Sequence, residues 1–268
     1  MTDWSTKVVV IVSASFGHGW RAGVRHVGWA CAQTFAAAGA SVVVVDPDDV
    51  GMVELCGEVR AGGGRIDSIS ADLTDPAALE RARDTVFALH GRADVLVNAH
   101  TAIEAGGVEA SSYQSWREVV AFDLLGPVFA AKAFLPLLKT GQAQSVVHIG
   151  SVDGALGHPL FPSYSAAKGG LNALTHVMAH DFARHGIRVN CAARAMLAEA
   201  HAPVPPQMAE LEAQTMLGRS GTPDELAAVV MFLASDEAAY VTGAVLPVDG
   251  GMSALTPGCA AHAKQNKA

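Results

Sequence analysis

Short apolar runs bounded by turn residues recur along the chain, at residues 8–12, 41–45, 66–70, 95–97, 146–149, 188–191 and 245–248. They are rich in valine and isoleucine and too short for helices, so each reads as a buried strand. Longer stretches with helical spacing lie between them, among them 28–38, 76–89, 116–138, 163–185 and 223–235. Thr222-Pro-Asp-Glu225 opens the last of these well, with proline at the first helical position and acids in the first turn. The alternation predicts an α/β fold, a doubly wound parallel sheet of about seven strands with helices on both faces. Ligands of such sheets sit beyond the carboxyl ends of the strands. No repeat or linker interrupts the pattern, so residues 1–268 are expected to form a single domain, with 253–268 as a C-terminal tail. The prolines of 202–207 predict a loop opening a short helical segment at 208–216.

Composition narrows the class. Half the residues are hydrophobic and 27 are glycine, which suits strands covered on both faces. A net charge of −8, with no lysine- or arginine-rich run, argues against a nucleic-acid surface. The four cysteines are isolated, and they read as small buried residues of a reducing compartment. Among the eleven histidines no HExxH pair occurs and a single HxxxH pair does, and no metal site is predicted. His176 and His180, four residues apart, read as a helix surface. The absence of a long uncharged apolar run and of a signal-peptide layout predicts a cytoplasmic protein with no membrane partner.

The candidate chemistry centres on Tyr164-Ser-Ala-Ala-Lys168, with Ser151 upstream at the end of a predicted strand. Residues four apart share a helix face, so Tyr164 and Lys168 can enter one pocket. A free tyrosine holds its proton to about pH 10, and a neighbouring lysine cation favours the phenolate. The pair thereby becomes a usable acid and base, and Ser151 can hold a substrate oxygen beside it.

Around this pair the sequence resembles the short-chain dehydrogenase/reductase family over essentially its whole length. The resemblance rests on Asp72-Leu-Thr-Asp75, Ser151, Tyr164-Ser-Ala-Ala-Lys-Gly-Gly-Leu171, Ile187-Arg-Val-Asn190, Gly218-Arg-Ser-Gly-Thr-Pro223 and Val241-Thr-Gly-Ala-Val-Leu-Pro-Val-Asp-Gly-Gly251, in family order and spacing. It implies a Rossmann-like fold and a catalytic set of Ser151, Tyr164, Lys168 and Asp123, the last standing where the family has a relay asparagine. It further implies a dinucleotide held by Ser13, Arg25, Gly28, Asp46, Asp72, Leu73, Asn98, Ala99, Lys168 and Arg194. Substrate contacts fall on His100, Asp153, His158 and Met196, with the segment 196–217 as a lid over a small molecule. An acid at Asp46 can accept ribose hydroxyls and would repel a 2′-phosphate, which implies NAD rather than NADP. Relatives assemble through long helices, so a homo-oligomer, tetramer or dimer, is expected.

The chain departs from the family where the cofactor would lie. The first glycine-rich loop is replaced by residues 13–28, about eight residues longer, with Gly28 at the last glycine position and His26 at the middle one. Arg21 and Arg25 could replace backbone amides as phosphate ligands, or Phe16 and Trp20 could fill the pocket. Asn98-Ala-His-Thr101 stands for Asn-Asn-Ala-Gly, and Arg194-Ala195 stands for Pro-Gly. Three readings stay open on the sequence alone. The first is an oxidoreductase interconverting a secondary alcohol and a ketone with NAD(H). The second is a non-redox isomerase, dehydratase, lyase or cyclase using Tyr164 and Lys168 for proton transfer, with the dinucleotide altered or absent. A binding protein with a vestigial site is a third.

Overall fold

In a computed structural model, residues 2–14, 26–198 and 206–254 are described. Seven parallel strands form one sheet in the order β3-β2-β1-β4-β5-β6-β7. They are β1 Val8–Val12, β2 Ser41–Asp46, β3 Arg65–Ser70, β4 Val95–Asn98, β5 Ser145–Ser151, β6 Arg188–Arg194 and β7 Val245–Val248. The strand order reverses between β1 and β4, which leaves a crevice at their carboxyl ends.

Alternation along each strand feeds two cores. Val9 and Ile11 of β1 join a cluster with α1 (Val27–Ala37), α2 (Asp49–Ala61) and α9 (Pro223–Ala234). Val10 and Val12 point the other way, into α3 (Pro76–His90), α5 (Gly126–Leu138) and α7 (Pro162–Ala183). That period-two division, with β1 buried throughout, is what a sheet covered on both faces requires.

Helix starts follow local chemistry. Asp75 caps α3, accepting from the amides of Ala77 and Ala78 at 2.9 and 3.2 Å. Thr222 and Glu225 form a capping box on α9. The buried Asp94 ties the amino-terminal edge of the sheet together, accepting from the amides of Val8 at 2.8 Å and Gln142 at 2.6 Å.

Four boundaries differ from the sequence reading. A helix over Asp49–Ala61 fills the β2–β3 crossover, where no helical pattern was assigned. The expected helix 116–138 starts at Tyr113 as α4 (Tyr113–Val120), then widens into a π turn at Ala121–Leu125 before α5. Pro127 has no N–H to donate to the carbonyl four residues back, and its ring crowds that carbonyl, so a wider turn relieves both. The segment expected at 208–216 is α8, Pro206–Glu212. Strand β6 runs on to Arg194, because no proline stops its ladder. The continuous run Tyr113–Leu138 is also long and apolar enough to cross a membrane by length and composition, although Arg117, Glu118, Asp123 and Lys132 interrupt it with charge. Its Ala130, Ala131, Phe134, Leu137 and Leu138 are spent on the core instead.

Candidate active site

Helix α7 delivers Tyr164 and Lys168 from one face into the interior, where Lys168 is fully buried and Tyr164 almost so. The Lys168 Nζ donates to the carbonyl of His100 at 2.6 Å and to that of Ile149 at 3.2 Å. Asp123 Oδ2 faces it at 3.7 Å, and both side chains are wholly excluded from water. The ammonium lies 5.5 Å from the centroid of the Tyr164 ring. Asp123 projects inward from the π turn, and its Oδ1 accepts from the Ala102 amide at 2.8 Å. Burial pushes the Asp123 carboxyl up from its ordinary range, while Lys168 and the Ala102 amide oppose that rise. The sequence-predicted trio of Tyr164, Lys168 and Asp123 is therefore brought together.

Ser151 is the last residue of β5, two residues beyond Ile149 on the same strand face. Its Oγ accepts from the Asp153 amide at 3.1 Å at the start of a one-turn helix, α6 (Asp153–Leu156). The Tyr164 ring packs with Phe161, Val119 and Ala167, and its hydroxyl is buried without a protein partner. His158 stacks on Phe161, and its Nδ1 accepts from the Leu160 amide. Its ring is thus held in the loop between α6 and α7. Met196 and Leu197 line a cavity of about 210 Å³ with Leu217 and Val248, beside the expected lid.

The start of α1 shows what replaced the glycine loop. A Cβ on Gly28 would lie 2.3 Å from the Ser13 carbonyl oxygen and 2.7 Å from Ala14 Cα, so only glycine allows this approach. Ser13 pays part of that closeness with a left-handed backbone, φ 66°. His26 caps the helix, its Nδ1 accepting from the Gly28 amide at 3.2 Å. That amide is one of those a family glycine loop would leave facing a phosphate. Arg25, together with Phe16, Trp20 and Arg21, lies outside the described residues.

Asp46 ends β2, buried, and it accepts from the amides of Ala14 at 2.8 Å and Asp48 at 2.9 Å. Its carboxylate thus fixes the start of the first loop at Ala14. Asp72 is exposed and accepts from Thr74, while the neighbouring Leu73 is buried. At the end of β4, Asn98 Nδ2 lies 3.2 Å from His148 Nδ1, and Ala99 donates to the Val12 carbonyl. The His100 carbonyl meets Lys168, but its ring packs against the start of α5, since a Cβ on Gly126 would lie 2.8 Å from it. Arg194 sits beside Ser151 on the neighbouring strand, and its Nη1 reaches the Ala195 carbonyl at 3.2 Å.

Burial holds the imidazoles neutral, lowering His26 to about 4, His148 to about 3 and His100 well below the ordinary range. His148 was not among the sequence-predicted residues, although a histidine inside the apolar run 146–149 was a visible signal. Several buried polar atoms here make no hydrogen bond within the protein: Asn98 Oδ1, Asp123 Oδ2, the Tyr164 hydroxyl and Arg194 Nε. Native proteins rarely leave such groups unmet, so the cluster fits a polar ligand across the carboxyl ends of β4, β5 and β6. A nicotinamide riboside, with its hydroxyls and carboxamide, has the donors and acceptors that this set lacks. No group of three or more metal-binding side chains occurs among the described residues.

Comparison with known proteins bears on the fold and the family. A family model described as enoyl-(acyl carrier protein) reductase matches residues 22–253. The meso-2,3-butanediol dehydrogenase of Serratia marcescens is 35% identical, over 94% of this chain and 96% of its own. The cis-4-hydroxycyclohexanecarboxylate dehydrogenase of Sinomonas cyclohexanicum is 33% identical, over 94% and 98%. A short chain oxidoreductase from Pseudomonas aeruginosa PAO1, solved in its apo form and containing an atypical catalytic center, superposes with a TM-score of 0.85. It is 25% identical, with 95% of this chain and 100% of that chain covered.

Proposed function

This chain belongs to the short-chain dehydrogenase/reductase family, and from that premise we propose that it interconverts a secondary alcohol and a ketone with NAD(H). Oxidoreductase chemistry comes with the family. The buried Tyr164–Lys168 pair, with a hydroxyl that no protein group binds, carries the more specific reading. An unpartnered buried hydroxyl is costly, and a substrate oxygen would satisfy it.

In this reading Ser151 donates to the substrate oxygen, and Tyr164 takes its proton during oxidation and returns it during reduction. A bound nicotinamide dinucleotide supplies or accepts the hydride. Lys168, Asn98, Ala99 and Arg194 would hold its nicotinamide end, and Ser13 and Gly28 its phosphates, while Arg25, a phosphate candidate from the sequence, lies outside the described residues. Asp46 would meet the adenosine ribose, with Asp72 and Leu73 at the adenine. The Asp46 carboxylate disfavours a 2′-phosphate, which supports NAD. Asp153, His158 and Met196 border the substrate. His100, its ring packed on α5, acts instead through its backbone carbonyl, which accepts from Lys168. The same reading makes the enzyme a cytoplasmic homo-oligomer with one domain per chain.

Titration of the purified protein with NADH and NADPH, followed by nicotinamide fluorescence, tests the cofactor. Binding of NADH in preference to NADPH is expected, and the reverse preference would overturn the role of Asp46. A Tyr164→Phe variant should bind NADH like the parent and lose at least about a hundredfold in kcat. Retained turnover would refute the proton donor.

A further inference from the structure

Tyr164 is the acid/base of the reading above, and the buried charges around it differ from a lone lysine. Lys168 donates to two carbonyls at 2.6 and 3.2 Å, and the Asp123 carboxylate faces its ammonium at 3.7 Å. Asp123 is itself anchored, with Oδ1 on the Ala102 amide and Oδ2 turned to the ammonium. Lys168 and Asp123 thus pin the segment from His100 to Ala102 from two sides. We propose that Asp123 is a positioning residue: it neutralises Lys168 inside a closed ion pair, so that Tyr164 gives up its proton at more alkaline pH than an uncharged residue at position 123 would allow.

Every element packed on this pair contributes to the balance. Helix α7 brings Lys168, β6 brings Arg194, and the π turn brings Asp123. His100 after β4, His148 on β5 and His26 at the start of α1 face the same cluster, and burial keeps all three uncharged near neutral pH. Asp153 and His158 lie in the segment between β5 and α7, where Asp153 meets Ser151 and His158 stacks on Phe161. Asp123 is thus the carboxylate facing two buried-side cations. Removing it exposes the phenol to uncompensated positive charge. At an effective dielectric constant of ~20, deleting a unit charge roughly 8 Å from a phenol moves its ionisation by about 1.5 pH units.

The inference rests on the proposed role of Tyr164, yet its test needs neither cofactor nor substrate. The chain has three tyrosines, and two of them, Tyr113 and Tyr240, are exposed at 87% and 104%. Phenolate absorbance near 295 nm is followed against pH in the full-length parent and in Asp123→Asn, with circular dichroism recorded at each pH. One phenol of the three should ionise about 1.5 pH units more acidic in Asp123→Asn, and the shift should vanish when Tyr164→Phe is added. Asp123→Glu should follow the parent. If Asp123→Asn fails to fold, the double variant Asp123→Asn/Lys168→Gln, which removes both charges, should titrate like the parent, whereas Lys168→Gln alone should move the phenol alkaline. Superimposable curves for the parent and a folded Asp123→Asn, or a double variant that shifts as far as Lys168→Gln, would overturn the proposal. A phenol shift in a protein that oxidises no alcohol would leave the charge pairing standing and sink the oxidoreductase reading instead.

Discussion

Replacing His148 tests how much of the stability of this fold depends on imidazoles kept neutral inside it. The ring is fully buried on β5, with Nδ1 against Asn98 and Nε2 without a protein partner. Burial lowers its ionisation to about 3, against about 6.5 in the unfolded chain. A depressed native value means that the unfolded chain takes up the proton first. Stability is therefore complete above the unfolded value and drains away as pH falls from about 6.5 towards 3. Between pH 8 and pH 5 the linkage relation gives a loss of about 2 kcal/mol from this residue alone. His26, lowered to about 4, and His100 push in the same direction. The His148→Asn variant puts an amide oxygen near the former Nδ1 and cannot titrate. Urea unfolding followed by tryptophan fluorescence, at one protein concentration, should show the variant losing about 2 kcal/mol less than the parent over that pH interval. With an m-value of roughly 3 kcal/mol/M, the corresponding difference in midpoint shift is roughly 0.7 M. Equal losses in parent and variant would show that His148 titrates normally, and the account of the buried polar row would fail.

Two further outcomes follow from local geometry. Gly28→Ala places a methyl 2.3 Å from the Ser13 carbonyl oxygen, which forces β1 and α1 apart. A loss of about 2 kcal/mol or more is expected by thermal or urea unfolding, and an unchanged midpoint would show that the strand–helix approach is looser. Thr222→Ala removes the hydroxyl that accepts from the Glu225 amide at 3.1 Å, one half of the capping box on α9, and leaves the Glu225 carboxylate on the backbone amide of residue 222. It should cost about 1 kcal/mol, while a neutral result in the same assay would mean that the cap contributes nothing.

Much of the architecture was legible because strand burial and helix caps are local signals. The runs rich in valine fixed the sheet, and Thr222-Pro-Asp-Glu225 marked a helix start that the structure confirms. The joining of Tyr164 with Lys168 followed from helical spacing alone. What escaped depended on long-range packing. The π turn at Ala121–Leu125 has the same helical appearance as its neighbours, and Pro127 was its one mark in the sequence. Arg194 was read as a loop residue replacing Pro-Gly, yet pairing with Ser151 and Val248 carries it into β6. His26 was read only as a bulky stand-in for glycine. Its capping of α1 depends on where the chain returns after the long first loop. The buried pairing of Asp123 with Lys168 needs the π turn and α7 together, which no local pattern encodes.

The central claim is that a nicotinamide dinucleotide binds beside Tyr164 and Lys168 despite the altered first loop. Isothermal calorimetry of the full-length protein with NADH measures this directly. Saturable binding, one dinucleotide per chain, at micromolar to sub-millimolar cofactor is predicted. No heat of binding up to millimolar NADH or NADPH, in protein shown to be folded by circular dichroism, would contradict it.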